Sequence, residues 1–248
     1  MYYQLAALAS SDFWSEFKQA FITDDRYMYL VRGLGVTFLV TLGATALGIL
    51  LGVIIALIRS THDKNIDTMR PGAAKVILTI LDKIAKIYLT VIRGTPMLVQ
   101  LMIAYFVIFV AVSEHKALVA ILAFGINSGA YVAEIIRSGI MSIDPGQFEA
   151  GRSLGFNYAQ TMIYIIIPQA FKNVLPALAN EFIVLIKETS VCGYIGLQDL
   201  TRGGEIIISR TYKAFMPLLG VAAIYLVIVM IFTKLVSILE RRLRNSER

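Results

Sequence analysis

Hydrophobic positions along this chain do not alternate with the period of a strand. They gather into long runs free of charge, the pattern of helices that cross a bilayer about 30 Å thick with roughly 20 apolar residues each. Three runs have that length outright: Gly33–Ile58, Gly94–Ser113 and Ala214–Thr233. A fourth, Ala117–Ala133, stops at Glu134 and reaches spanning length if its helix carries on to Gly139. A fifth, Val174–Ile186, is apolar except for Asn180 and Glu181, then meets Lys187 and Glu188. The pattern predicts an all-α polytopic membrane protein with about five transmembrane helices.

The punctuation between the runs predicts smaller elements. Phe13, Trp14, Phe17 and Phe21 mark one side of a short helix that starts after Asp12, a face that either lies in the membrane interface or packs on the spans. No Lys or Arg precedes Lys18, so the first 32 residues do not read as a signal peptide. His62–Gly72 is polar, ends in Pro71–Gly72 and reads as a cytoplasmic linker. From Ser142 to Gln169 the signals are those of two helices joined by a turn. Asp144–Pro145–Gly146 ends the preceding span, Gly155 stands where a helix end takes a left-handed residue, and Asn157 with Gln160 has capping-box spacing. Pro168 is expected to kink or end the second helix. Gly48 and Gly52, four apart in the first run, form a small-residue pair suited to close helix packing.

Composition agrees. Apolar and aromatic residues make up 57% of the 248 residues and charged residues only 16%, against about 25% charged in a globular chain. The net charge of +6 does not cluster as a nucleic-acid surface would require, because the cations lie between the apolar runs. They act instead as a topology signal. With the C-terminus inside, twelve cations fall in inner segments (Arg59, Lys64, Arg70, Lys75, Arg137, Arg152, Lys172, Lys234, Arg241, Arg242, Arg244 and Arg248) and seven in outer ones. The excess favours N-terminus out and C-terminus in. One cysteine, Cys192, excludes an internal disulfide, and two histidines offer little to a metal, so none is expected.

The helix–turn–helix with Glu149 and Arg152 on it reads either as a solvated loop or as a docking knob for a cytoplasmic partner. Glu149–Ala150–Gly151, three residues, Gly155, nine residues, Ile165, one residue and Ile167–Pro168 resembles the signature loop of permease subunits of ATP-binding-cassette importers. That family writes Ala where Gly151 stands and Leu where Ile167 stands. Arg93–Gly94–Thr95–Pro96 with Leu98–Val99–Gln100, Asn127–Ser128–Gly129–Ala130–Tyr131 and Lys187–Glu188–Thr189–Ser190 are similar to blocks of the polar amino-acid branch, in the same order. The likeness runs from about residue 29 to 242.

The resemblance implies a type I ATP-binding-cassette importer permease fold, with residues 1–28 an extracytoplasmic or interfacial helix, 29–242 the transmembrane permease domain and 243–248 a cytoplasmic tail. It implies a second permease subunit, identical or related, and two cytoplasmic ATPases that carry the ATP and magnesium. An extracytoplasmic binding protein would deliver the amino acid. Glu149, Ala150, Gly151, Arg152, Gly155 and Pro168 would form the coupling helices, with Glu149 a polar contact and Gly155 the turn. The chain itself has no Gly-Lys-Ser or Gly-Lys-Thr phosphate loop, so it is not read as an ATPase.

Ionisable groups inside a span are costly and point to a pathway or to each other. Glu181 is the leading candidate for solute contact, with Glu188 seven residues on along the same face. Asn127, Ser128 and Tyr131 add hydrogen-bonding groups, as do Arg93, Thr95 and Gln100 at the entry to the run Gly94–Ser113 and Lys187, Thr189 and Ser190 just past Val174–Ile186. The competing reading makes Asn127 and Ser128 interhelical glue, pairs Glu134 with Arg137, and has Glu181 bridge to Lys187 or Arg93. An ATP-independent secondary transporter or channel is the alternative function. An integral-membrane enzyme lacks a visible catalytic cluster.

Overall fold

A computed structural model describes residues 12–245; they are helical with short breaks, and no strand occurs among them. The first helix, α1 (Asp12–Phe17), passes through a π-helical turn at Lys18–Ile22 and a left-handed turn at Asp24 and Asp25 into α2 (Tyr27–Asn65). Then follow α3 (Ala73–Arg93), α4 (Met97–Ile103) with a π-helical extension to Ile108, and α5 (Lys116–Met141). The helix pair is α6 (Pro145–Ser153) and α7 (Tyr158–Thr161), and α8 (Ile167–Glu188), α9 (Leu200–Thr211) and α10 (Phe215–Asn245) complete the described residues. Among the described residues, four helical stretches are long and apolar enough to span a membrane, and a bent pair, α3 with the α4 stretch, makes a fifth if it counts as one span.

The core of the bundle is the seam between α2 and α5. On α2 the buried positions Val40, Ala44, Gly48, Gly52, Ala56 and Ser60 recur every fourth residue, a stripe of small side chains along one face. Two helices meet closely only where side chains leave room. A Cβ at Gly48 would stand 3.0 Å from Ser128, one at Gly52 2.4 Å from Val132, and in return Gly125 and Gly129 of α5 receive Leu47 and Leu51. These pairings rise together in number, so α2 and α5 run parallel. The other faces of α2 carry Leu39, Leu42, Leu50 and Ile54 outward, a surface for lipid.

Two boundaries differ from the sequence reading. The stretch 62–72 is not all linker, because α2 continues helical to Asn65. The second span is not a single run over 94–113: α3 precedes it, and the two are bent by 108°. Charges at Lys75, Asp82, Lys83 and Lys86 hide α3 from a search for charge-free length, yet its exposed Val76, Ile77, Ile80, Ile84, Ile87 and Val91 follow helical spacing. Three features make the bend. Gly94 leaves no room for a Cβ, which would meet the Thr90 carbonyl at 2.7 Å; Pro96 is extended; and the Gln100 amide reaches back to the Ile92 carbonyl at 2.7 Å and the Thr95 hydroxyl at 2.7 Å.

The helix pair forms as its signals predict. Asp144 caps α6 by accepting from Gly146 N at 2.7 Å, with Pro145 in the first turn, and Asn157 and Gln160 make a reciprocal capping box at the start of α7. Gly155, at φ +81°, closes α6: its N–H donates to the Arg152 carbonyl while Phe156 N–H donates to that of Gly151, the paired bonds of a Schellman motif. Gly155→Ala is expected to destabilise the pair by about 1 kcal/mol, seen as faster proteolysis between residues 153 and 157. Pro168 does not end its helix, which runs on through it to Glu188. The π-helical turn Met162–Ile166 absorbs the register before it, Pro168 sits in the first turn of α8, and the fifth predicted span is thereby continuous with the helix pair.

Candidate functional site

Two features carry chemistry: the helix pair at one end of the bundle and a polar cavity beside it. On the pair, Glu149, Ala150 and Arg152 are exposed, as are Leu154 and Gly155, while Gly151 is buried where a Cβ would meet Thr161 at 2.6 Å. The pair is held to the bundle by Ile140, Ile143, Met162, Ile166 and Ala170. Lys64, near the end of α2, lies 4.7 Å above the Phe148 ring. The exposed polar face is thus presented on a well-packed base, which suits contact with another protein.

The cavity has a volume of about 450 Å³ and opens between α3, α5 and α8. Spacing places its walls: Tyr131, Glu134, Ser138 and Ser142 follow one face of α5, and Asn173, Ala177 and Glu181 stand four apart on α8. Arg93, the last residue of α3, enters from the bend with its guanidinium 5.5 Å over the Tyr131 ring. Glu181 accepts a hydrogen bond from the Ser128 hydroxyl at 2.9 Å. The cavity therefore offers a cation and a carboxylate from separate helices, with amide and hydroxyl groups between them.

Of the residues selected from sequence, Glu181, Tyr131 and Arg93 line this cavity. Ser128 is behind Glu181 and orients it. Asn127 donates to Gln100 at 2.9 Å, so both join α5 to the bend rather than face the cavity. The Thr95 hydroxyl caps the Val91 carbonyl at 2.8 Å. Lys187 is exposed, Glu188 half-buried, and Thr189 buried on the Ile186 carbonyl, none of them among the lining residues; nor is Ser190. Sequence reasoning missed Ser138, Ser142 and Asn173, although the spacing of Asn173 and Glu181, two helical turns apart, was visible.

A network of charges joins α2, α3 and α5 next to the cavity. Asp82, only 1% exposed, meets Lys86 at 2.7 Å, Arg59 at 3.5 Å and His62 at 3.7 Å. Arg137 pairs with Glu134 at 2.7 Å and Asp63 at 3.2 Å, and Glu134 lies 3.7 Å from Arg59. The expected Glu134–Arg137 pair therefore belongs to a larger clamp. His62, Asp63 and Asp82 are close enough together to ligate a metal ion. Lys86 already stands against the Asp82 carboxylate, and Arg59 and Arg137 flank the group, so the donor set suits ion pairing. A buried carboxylate is stable only with such partners.

Compared with known proteins, residues 71–245 match the family described as binding-protein-dependent transport system inner membrane component. The chain belongs to that family. This permease is 36% identical over 221 residues to the arginine transport system permease protein ArtQ of Bacillus subtilis, covering 88% of this chain and 94% of the relative. It is 34% identical over 220 residues to a putative glutamine transport system permease protein GlnP of Rickettsia typhi, with the same two coverages. Among solved structures, one described as an amino acid ABC transporter with histidines superposes with a TM-score of 0.77 at 43% identity, over 90% of this permease and 98% of that chain. The methionine transporter MetNI in an inward-facing form shares the fold at a TM-score of 0.71 and 20% identity, over 88% and 97%. The type I importer permease fold and the inner-membrane location follow from these matches.

Proposed function

We propose that this permease forms the translocation pathway of an ATP-driven importer for a polar, and specifically a basic, amino acid. The observation that carries the reading is the cavity in which Arg93 and Glu181 face one space from separate helices. An amino acid is a zwitterion: Arg93 suits its α-carboxylate and Glu181 its α-ammonium, as charge-assisted hydrogen bonds. Glu134 also lines the cavity, but its charge is shared with Arg137 and Arg59 of the clamp, which leaves Glu181 as the carboxylate available to a cationic group. The relatives named for arginine and crystallised with histidines support the same class.

In this reading the C-terminus and the helix pair face the cytoplasm, as the cation excess favours. Two ATPase subunits, which hold ATP and magnesium, dock on Glu149, Ala150 and Arg152. A second permease subunit completes the pathway, and an extracytoplasmic binding protein delivers solute. Closure of the ATPases moves α6 and α7, and the bundle rocks about the cavity, the general form of alternating access.

The test is uptake of labelled arginine, histidine, glutamine and glutamate into liposomes holding the whole transporter, with ATP enclosed. Saturable uptake of basic amino acids that stops without ATP supports the reading. Uptake of glutamate alone refutes the specificity, and uptake that survives ATP depletion points to the secondary transporter. Glu149→Lys is expected to cut transport at least about tenfold with the permease still present in the membrane, since a reversed charge at a docked contact costs on the order of 1.4 kcal/mol or more. Unchanged uptake in that variant would remove Glu149 from the coupling surface.

A further inference from the structure

At the end of the bundle away from the helix pair, the aromatic residues of the N-terminal segment do not all pack inward. Ala20 is buried with Leu30, Leu200, Ile207 and Met216, and Phe21 lies so close to α10 that a Cβ at Gly220 would meet its ring at 2.6 Å. From that seat a series of ring contacts runs outward: Phe21 to Phe17 at 5.1 Å, Phe17 to Trp14 at 5.7 Å and Trp14 to Phe13 at 6.2 Å. The series ends in the open, with Trp14 67% and Phe13 37% exposed.

Three constraints fix the level of this segment. Asp24 and Asp25 both have positive φ, an unfavourable state for two side-chain-bearing residues in a row, and Arg26 holds the turn by donating to Asp24 at 2.8 Å and to the Gln19 carbonyl at 2.7 Å. The turn breaks the segment away from the line of α2. Glu16 then pairs with Lys213 at 2.9 Å, two residues before α10 begins. The segment is thus tied to the point where an apolar span starts. Tyr27 and Val31 of α2 and Phe215 and Leu218 of α10 are exposed as well, on helices long and apolar enough to span a membrane.

We propose that Phe13 and Trp14 are seated in the lipid headgroup layer, so that residues 13–22 anchor this end of the permease to the bilayer surface. An indole is suited to that layer because its ring is apolar and its N–H still finds water or a lipid oxygen. A segment held level with a span end by an ion pair, with its apolar ring outward, places the ring among lipid headgroups and acyl-chain ends.

Trp14 is the chain's one tryptophan, so the full-length permease reports on the site without engineering. Reconstituted in phosphatidylcholine liposomes, its emission is expected to lie to the blue of a free tryptophan amide. It should lose more intensity to lipid brominated near the headgroup than to lipid brominated at the chain end, and little to aqueous iodide. Trp14→Phe supplies the background. Strong iodide quenching with none from brominated lipid would place the ring in water and overturn the proposal. Protection from both quenchers would overturn it in favour of a protein partner, a second copy included.

Discussion

Glu181→Ala is expected to abolish measurable uptake while the permease still accumulates in the membrane. The carboxylate faces the cavity within a membrane-spanning helix, where it accepts a hydrogen bond from the Ser128 hydroxyl. Removing one partner of a desolvated, hydrogen-bonded charge pair costs about 2–5 kcal/mol, or roughly thirtyfold or more in affinity for the solute ammonium. Glu181→Gln separates the two roles of the side chain. It keeps an oxygen for Ser128 and removes the charge, so it should fold as the parent does and transport as poorly as the alanine variant. Parental uptake by the glutamine variant would mean that Glu181 serves only to join α5 and α8.

Gly52→Leu is expected to prevent accumulation of folded permease altogether. The first added carbon would stand 2.4 Å from Val132 and 3.0 Å from the Ala133 backbone nitrogen, and both residues are buried in the α2–α5 seam. Neither atom belongs to a side chain that can swing into solvent. Overpacking of a tight core typically costs about 1–3 kcal/mol, and here a whole isobutyl group would have to force the helix backbones apart. Gly35→Ala is the control, since a Cβ there meets nothing within 4 Å and alanine favours the helix by up to about 1 kcal/mol. Membrane-fraction yield and thermal unfolding in detergent distinguish the two variants. Equal yields from both would mean that the glycine stripe is not what holds α2 to α5.

Much of the fold was legible because lipid imposes a coarse rule. A helix must be apolar for about 20 residues to cross, and α2 and α10 announce themselves that way, while α5 does so only if it runs on past Glu134. The helix pair was legible for a different reason: Asp144, Gly155, Asn157 and Gln160 have local roles that depend only on near neighbours. The α3 helix was not, because Asp82 and its lysines look like loop residues until Arg59 arrives from α2 to meet them. The cavity lies between these cases. Asn127 and Glu181 are equally conspicuous as polar residues in apolar runs, yet one joins α5 to Gln100 and the other faces the cavity. Polarity marks a residue as needing a partner, and only the packing of helices decides whether that partner is protein or solute.

The contact of Lys64 with Phe148 has a mechanical consequence. The 39-residue α2 stands with its last turns on the helix pair, and its first turns wedge Gly33 against the Asp199 backbone at the far end. A straight helix of that length is a rod of roughly 58 Å. Tilting such a rod by about 5° at its foot swings its head by roughly 5 Å, about one helical turn. If α2 moves as one rigid body, a small tilt at the helix pair would be enlarged at its far end, by leverage along a single helix.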